Sequence, residues 1–284
     1  MSARRLVAAI IVVSLVCCAW AVAQGVGIGQ VKSCGVLVES PADAPEEQRP
    51  LSAGSPVLNE SLLEARTGAA TVSFEGGQTL EMMEGAQVSV GREKTSVDDE
   101  AGRRKVNLWS FNVKRGVAVV EAHDDKDNMT QMDAYPGKLK FGGTRVRVEV
   151  GYRGAIKLAK ITLEEGSGVL ELVASKGRLI LPDQTIILTR IDEEKWIMTI
   201  KVLRGPIVYR RSDREVGMRC DTGMVLILDL TPGMVPKRWT LMLVSPAALG
   251  GGGRSGGLVS PEEAPPENGC PRDHYYYYYY YYEG

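Results

Sequence analysis

The segment from His123 to Asp127 is the place in the body of the chain where an imidazole stands among carboxylates. His123 is followed by Asp124, Asp125 and Asp127, residue types that can bind a metal ion or transfer protons. A site of either kind needs further groups from elsewhere, and the spacing lacks the glycine and terminal glutamate of a calcium loop. A solvated polar turn is the simpler interpretation. We therefore expect no catalytic residue, no metal site and no cofactor, and we do not predict an enzyme.

The cysteines are the other reactive groups. Cys34, Cys220 and Cys270 remain once Cys17 and Cys18 are assigned to an N-terminal leader. In an oxidising compartment this odd set permits one disulfide, Cys34 with Cys220, and leaves Cys270 free to bond another chain. A second interpretation stays equally open, in which Cys34 and Cys220 are small buried hydrophobes.

Aromatic side chains supply candidate interaction residues. Trp109 and Phe111 stand on a predicted strand, where they can form a binding platform, although core packing is favoured for rings of this size. The C-terminus carries an unbroken tyrosine run that includes Tyr275, Tyr278 and Tyr282. Such a run can stack on aromatic or polysaccharide surfaces or self-associate. An artefact of a repetitive coding tract or an engineered end is the alternative explanation.

The elements that must position these residues are short β-strands. From Arg66 to Val90 the sequence alternates apolar and polar residues and is interrupted by Gly76-Gly77 and by Glu84-Gly85, a pattern that predicts three strands joined by tight turns. Similar patterns recur as far as Val244, whereas no window shows extended helical periodicity. The sequence predicts an all-β fold of many short antiparallel strands, as a β-sandwich or a stacked β-roll.

Two segments of the body predict loops. The stretch from Glu39 to Pro56 is rich in proline, alanine and acidic residues, and the stretch from Arg92 to Arg104 is densely charged. A weak internal repeat also appears, because Gly116, Gly166 and Gly205 each follow a charged residue and precede a short apolar strand. The second glycines of this repeat are Gly137, Gly177 and Gly223. The spacing is irregular, so a second interpretation stays open, in which any all-β chain would show similar glycine turns.

The N-terminus predicts the compartment. Arg4 and Arg5 precede an apolar run that ends at Ala21-Val22-Ala23, the pattern of a cleaved secretory signal over residues 1–23. An uncleaved membrane anchor is the alternative, and it would be the only membrane contact. In both cases the body lies outside the cytoplasm, so the expected location is periplasmic or secreted. A formal net charge of −1 gives no global field for nucleic acid.

The predicted organisation has four parts. Residues 1–23 form the signal peptide, and residues 24–190 form a first β-domain. Residues 191–246 form a C-terminal β extension packed on the same body. Residues 247–284 form a disordered Gly/Pro-rich tail that ends in the tyrosine run.

Several blocks in order resemble the FecR domain, the extracytoplasmic β-module of ferric-citrate-type regulators. The blocks, which span roughly residues 31–189, are Leu63–Gly68, Ala70–Phe74, Gly77–Leu80, Gly85–Val90, Gly142–Val148 and Glu164–Gly166. The resemblance implies a bacterial β-domain that docks a partner and has no catalytic residues. Family regulators place a helical segment that handles a sigma factor before their membrane span. Here only about five residues precede the apolar run, so sigma regulation is not expected.

The predicted function is a non-enzymatic, secreted or periplasmic FecR-like module that binds a protein or a cell-envelope polymer through strand edges and loops. One alternative is a structural or surface-assembly protein that self-associates through its tail. A further alternative is a signalling component of an extracytoplasmic regulatory system. Nucleic acid is not an expected partner.

Overall fold

A computed structural model of the chain describes residues 27–42, 44–99, 102–134, 137–154, 156–172, 177–192, 197–211, 217–229, 239–243 and 277–279. These residues form antiparallel β-strands, β1 to β20, as the sequence predicts. Among them there is no helix long and apolar enough to cross a membrane. The predicted signal peptide and most of the predicted tail lie outside the described residues. The chain divides into two compact units, residues 1–132 and 133–284.

Unit 1 contains seven complete strands and most of an eighth. They are β1 (Gly27–Pro41), β2 (Arg49–Leu51), β3 (Pro56–Leu58), β4 (Ser61–Phe74), β5 (Thr79–Met82), β6 (Gln87–Asp99), β7 (Gly102–Ala122) and β8 (Asn128–Ala134). Their pairings form two sheets, because the long strands β1, β4 and β7 each bend and contribute one half to each sheet. Sheet A has the order β2-β1-β4-β6-β7, and sheet B has the order β3-β1-β4-β5-β7.

Alternating apolar side chains fill the space between sheets A and B. Leu63, Val88 and Val90 point inward from sheet A, and Val72 and Leu80 point inward from sheet B; all are almost completely buried. Burial of such side chains contributes about 1.5–3 kcal/mol each. The apolar residues of the alternating pattern between Arg66 and Val90 are thus the inward-facing side chains of β4, β5 and β6.

Unit 2 repeats this design with shorter strands. They are β9 (Gly137–Phe141), β10 (Thr144–Arg153), β11 (Ile156–Glu165), β12 (Gly168–Leu172), β13 (Arg178–Leu181), β14 (Ile186–Asp192), β15 (Ile197–Arg204), β16 (Ile207–Arg210), β17 (Met218–Cys220), β18 (Met224–Asp229), β19 (Trp239–Leu243) and β20 (Tyr277–Tyr279). Sheet C has the order β10-β11-β14-β15-β18-β19-β20, and sheet D has the order β9-β12-β13-β16-β17. The chain alternates between the two sheets hairpin by hairpin, which is the arrangement of a stacked β-roll.

Glycines with positive φ occupy the corners where the chain crosses from one sheet to the other. The crossings from A to B and from C to D lie at Gly68, Gly116, Gly166 and Gly205, with φ between 70° and 86°. A Cβ on Gly116 would lie 2.6 Å from the Cα of Ala86, and one on Gly205 would lie 3.0 Å from the Oγ1 of Thr185. The corners at Gly116, Gly166 and Gly205 therefore lie directly against the turn of the preceding return crossing, whereas a Cβ on Gly68 would come no closer than 3.6 Å, to the Cα of Gly35. The positive φ of all four corners also favours glycine.

The return crossings use short turns, with two to four residues between the strands. Gly85, Gly143 and Gly223 have positive φ there, and Gln184 takes the same conformation with φ of 57°. The internal repeat is thus confirmed for the charged-residue-plus-glycine corners. Of its second set of glycines, Gly223 alone marks a return turn, because Gly137 begins β9 and Gly177 directly precedes β13.

The two predicted loops contain strands. β2 lies within the segment from Glu39 to Pro56, and β3 begins at its last residue; both pair with β1. β6 and β7 run through the charged stretch from Arg92 to Arg104. The charged stretch lacks hydrophobic alternation because none of its residues whose burial is described is fully buried. β6 and β7 form strands here because they pair with each other, not because their side chains are buried.

The division of the chain also differs from the predicted organisation. The predicted boundary after residue 190 lies inside β14, and β15 continues the same sheet beside it. No break in sheet C occurs at that position, and the predicted extension supplies further strands to sheets C and D. The division falls between Met132 and Asp133, within β8.

A buried carboxylate ties together the strands around the N-terminal part of unit 1. Glu39 is 0% exposed and forms an ion pair with Arg49. Its Oε1 also accepts hydrogen bonds from the backbone N–H of Leu58 at 2.7 Å and from the hydroxyl of Ser61 at 2.9 Å. Arg49 in turn donates to the carbonyl of Pro56 at 2.8 Å. One side chain thereby links β1, β2, β3 and β4.

We expect Gly116→Ala to lower the free energy of unfolding of unit 1 by about 2–4 kcal/mol, since it combines a left-handed backbone cost with overpacking. Gly85→Ala is the matched control, because Gly85 has φ of 78° and nothing within 4 Å of an added Cβ. It should lose only about 1–2 kcal/mol. Urea unfolding followed by tryptophan fluorescence measures both, and equal losses would contradict the close packing of corner and turn.

We expect Glu39→Ala to destabilise unit 1 by about 3 kcal/mol, because Arg49, Leu58 N–H and the Ser61 hydroxyl lose their shared acceptor. The control is Glu64→Ala, which removes a carboxylate that bridges two exposed arginines, Arg66 and Arg115. Exposed pairs of this kind contribute about 0.2–1 kcal/mol. Urea unfolding of both variants tests the contrast, and a loss for Glu39→Ala no larger than that for Glu64→Ala would show that the buried network is not stabilising.

Candidate functional site

The segment from His123 to Asp127 is a hydrogen-bonded turn. Asp125 accepts hydrogen bonds from the backbone N–H of Asp127 at 2.9 Å and from the side chain of Asn128 at 2.5 Å. These two bonds lower the pKa of Asp125, in that order of importance. Among the described residues, no three His, Cys, Asp or Glu side chains are grouped so that they could hold a metal ion. The geometry matches the polar-turn interpretation.

Trp109 and Phe111 lie in the core of unit 1. They are 1% and 0% exposed, and both form edge-to-face contacts with Phe74 of sheet B, with ring centroids 5.9 Å and 5.1 Å away. The indole N–H of Trp109 donates to the Oδ1 of Asn128 at 2.9 Å, and the guanidinium of Arg92 lies 5.4 Å from the ring centroid. Neither ring presents an open face to a ligand, so this platform does not enter the proposal below.

The C-terminal candidates are described only in part. Tyr278 lies in β20, whose backbone pairs antiparallel with β19, with Tyr278 opposite Leu241. Tyr275, Tyr282 and Cys270 lie outside the described residues.

The two described cysteines are free thiols, so the predicted bridge between Cys34 and Cys220 is not formed. Cys34 lies on β1 in unit 1, half-buried, and its thiol donates to the carbonyl of Leu51 at 3.5 Å. Cys220 lies on β17 in unit 2 and is completely buried. Burial, with a smaller contribution from the charge of Asp221, raises the pKa of Cys220 to about 11. The buried-hydrophobe interpretation therefore holds for Cys220.

The outer side of sheet D carries a cluster of cations that sequence reasoning missed. Within each strand, alternate residues point away from the core: Leu139, Leu170 and Leu179 are buried, while their neighbours along the chain face outward. We call this surface the basic face. It consists of Lys138, Lys140, Arg178, Arg210 and Arg219, the carboxylate Glu171, and the apolar residues Val169, Ile180 and Val208.

The strand register arranges the basic face in two rows. One row runs Lys138, Glu171, Arg178, Arg210 across four strands, and the other runs Lys140, Val169, Ile180, Val208, Arg219 across all five. Neighbouring strands are about 4.8 Å apart, so the five-strand row spans roughly 19 Å. Three cations and one carboxylate thus form one row, and a cation stands at each end of the other row, whose middle is an apolar strip.

Glu171 is the one carboxylate within these rows. Its two oxygens meet Lys140 at 3.0 Å and Arg178 at 3.9 Å. At the end of the face Arg219 contacts Asp221 at 2.8 Å. Arg178 and Arg210 stand directly opposite each other on β13 and β16, and like charges in cross-strand positions repel. The face therefore carries an excess of positive charge, and an anion bound between the two arginines would relieve their repulsion.

The outer sides of sheets A and C contrast with this arrangement. On sheet A, Glu64 contacts Arg66 at 3.2 Å and Arg115 at 2.9 Å. Burial acts to raise the pKa of Glu64, but hydrogen bonds from Arg66 and Gln87 and the charges of Arg66 and Arg115 outweigh it, so the pKa is lowered. On sheet C, Glu149 is shared between Arg147 and Lys160. In each of these clusters one carboxylate lies between two cations, whereas on the basic face Glu171 is the one carboxylate in the rows that hold Lys138, Lys140, Arg178 and Arg210.

The sequence held one local signal for the basic face. Lys-Leu-Lys at residues 138–140 and Arg-Leu-Ile at 178–180 alternate a charge with a buried residue, as half-exposed strands do. These segments are far apart along the chain, however. Only the pairing of β9, β12, β13, β16 and β17 shows that their cations share one surface.

No protein-family model matches the chain. No curated protein matches it. A similar solved structure is the crystal structure of a candidate anti-sigma factor from Parabacteroides distasonis, which is 13% identical and has a TM-score of 0.24. The match covers 61% of this chain and 57% of that one. A TM-score of this size does not establish a shared fold, so the resemblance to FecR domains stays a prediction from the sequence.

We expect the two described thiols to differ in reactivity. With Cys17, Cys18 and Cys270 replaced by serine, a thiol reagent at pH 8 should modify Cys34 in the native protein and Cys220 only after denaturation. A pKa of about 11 leaves roughly a hundredfold less thiolate than an unshifted thiol, and burial blocks access. Cys34→Ser should abolish the native-state signal. Absence of any thiol after denaturation without reductant would show that the two residues are bridged.

Proposed function

We propose that the protein is a non-enzymatic, extracytoplasmic binding module of the FecR-like kind, which docks an anionic component of the bacterial cell envelope on the basic face. The observation that carries the proposal is the pair of arginines, Arg178 and Arg210, opposite each other on a face with five cations and one central carboxylate. Phosphate and carboxylate groups are the ligands that guanidinium groups bind best.

The scaffold supports recognition by a preformed surface. Inward-facing residues of sheet D such as Leu139, Leu170 and Leu179 are completely buried, so the strands that carry the cations are held by a filled core. The register then fixes the spacing of the cations before a ligand arrives. Little ordering entropy is lost on binding to such a surface, which favours affinity.

The apolar strip favours an envelope component, rather than a simple anion, as the ligand of the basic face. Val169, Ile180 and Val208 are half-buried and stand in line between the cations. A ligand with both anionic groups and apolar surface, such as a phosphate-bearing lipid or polysaccharide, would contact the strip and the arginines together. The secretion signal predicted from the sequence would bring the protein to such ligands.

A second candidate function is a surface-assembly protein that associates through its tail. The specific observation in its favour is the pairing of β20, which belongs to the tyrosine run, with the strand β19 of sheet C. Within the described residues the run thus supplies a strand to the body. The same pairing between different molecules would link them.

To test the proposed function, the affinity for anionic vesicles is measured for the unmodified protein and for the double variant Arg178→Ala/Arg210→Ala. The probe is a vesicle with 30% phosphatidylglycerol in phosphatidylcholine, with pure phosphatidylcholine vesicles and a soluble phosphorylated polysaccharide as parallel arms. Each basic residue near an anionic surface contributes about 1 kcal/mol, so the double variant should bind about thirtyfold more weakly. Affinity should also fall as salt is raised.

The matched control is Arg66→Ala/Arg115→Ala, which removes two arginines that already contact Glu64 on sheet A. This variant removes the same number of positive charges, but from sheet A rather than from the basic face, so it should bind within about twofold of the unmodified protein. Equal weakening by both double variants, or binding without salt dependence, would refute the basic face as the docking surface. Stronger binding to duplex DNA than to either envelope probe would refute the envelope assignment.

A further inference from the structure

The outer half of β6 forms a strand edge that β4 does not cover. β4 pairs with β6 only through residues 87–90, whereas β6 continues to Asp99 beside β7. The register between β6 and β7 is continuous from Val88 to Asp99, so no bulge turns this edge away. From Gly91 onward, β6 therefore pairs with β7 on one side, in what we call the ribbon, and with no strand of the described residues on the other.

Two hydrogen bonds define which backbone groups face outward. The N–H of Arg92 donates to the Oδ1 of Asn59 at 2.6 Å, on the side away from β7. On β7, the N–H of Asn107 donates to the carbonyl of Asp127 at 2.9 Å, away from β6. Asn107 stands opposite Lys94, so this pair exchanges no hydrogen bond within the ribbon.

In an antiparallel ladder, hydrogen-bonded and non-hydrogen-bonded pairs alternate. Since the positions of Arg92 and Lys94 are non-hydrogen-bonded, Ser96 and Asp98 are as well. The N–H and C=O groups of Lys94, Ser96 and Asp98 therefore point away from β7. Their side chains are exposed, and the hydrogen bonds of the described residues give these backbone groups no partner.

We propose that this edge pairs antiparallel with the same edge of a second copy of the chain. The edge is self-complementary in charge, because Lys94 and Asp98 lie symmetrically about Ser96. With Ser96 on a two-fold axis, Lys94 of each copy stands opposite Asp98 of the other. The three outward-facing residues of each copy then form three hydrogen-bonded pairs, with six backbone hydrogen bonds and two cross-strand ion pairs.

The limits of the pairing follow from the same contacts. Asn59 already occupies the outward N–H of Arg92, so the intermolecular ladder begins at Lys94. It ends at Asp98, just before the tip of the hairpin. A closed, isologous contact of this length satisfies an exposed strand edge without building an open fibre. A short ladder gives a weak dimer, which forms as the protein concentration rises.

The first test compares Ser96→Pro with Ser96→Ala by sedimentation equilibrium of the purified protein over a range of concentrations. Proline removes the outward N–H of residue 96 from both copies and leaves the ribbon hydrogen bonds intact, since proline is tolerated at a strand edge. We expect the dimer dissociation constant to rise about tenfold or more. Ser96→Ala, which keeps the backbone N–H, should leave it within about twofold.

The second test exchanges the charges. Lys94→Asp and Asp98→Lys should each weaken the dimer, because like charges then face each other across the two-fold axis. The double variant Lys94→Asp/Asp98→Lys restores opposite charges in the swapped order and should recover the dissociation constant of the unmodified protein. This rescue separates the proposed contact from damage to the ribbon and from association through the tail.

Three outcomes would overturn the proposal. The first is an unmodified protein that stays monomeric at all concentrations. The second is a dimer that Ser96→Pro does not weaken, which would assign self-association to another surface. The third is a double charge-swap variant no better than the single variants, which would exclude the register with Ser96 on the axis.

Discussion

The close contact between corner glycines and return turns is the constraint on which the other features of both units depend. A chain that passes from one sheet to its partner within a few residues needs a positive φ. It must also lie against the turn formed one crossing earlier. At Gly116 the space for a Cβ is already taken by the backbone of Ala86, and at Gly205 a Cβ would lie 3.0 Å from the Oγ1 of Thr185. This contact fixes the distance between successive hairpins and therefore the register of the strands that begin at each corner.

Register in turn decides which charges meet. Once β9, β12, β13, β16 and β17 are aligned, alternation sends the leucines inward and the lysines and arginines outward. On sheets A and C the same alternation brings a carboxylate between two cations, at Glu64 and at Glu149. On sheet D a single glutamate, Glu171, serves the two rows of the basic face. The excess charge follows from which residues the register places together rather than from overall composition, since the chain has a formal net charge of −1.

Sequence patterns predicted the parts of the fold that are encoded locally. Between Arg66 and Val90, one face of each strand is buried and the turns need glycine, so alternation and Gly-Gly punctuation both appear in the sequence. The ribbon from Arg92 to Arg104 has no buried face along most of its length, and its charged residues therefore resemble a loop. Glu39 stands at the start of a predicted loop, and nothing in the sequence indicates that it is buried. A buried carboxylate can be expected only where its partners are known, and here these are Arg49 and Ser61.

The basic face and the β6 edge were beyond sequence patterns for a related reason. Each depends on how separate strands are arranged. The basic face brings together residues that lie between Lys138 and Arg219 in the chain. The β6 edge depends on which way backbone N–H groups point, and this is known from their hydrogen bonds to Asn59 and Asp127. In both units the space between the sheets is filled by apolar side chains, so the surfaces left for recognition are outer faces and unpaired edges. A filled two-sheet scaffold of this kind is suited to binding, because the corners hold its outer charges and backbone groups in fixed positions without help from a ligand.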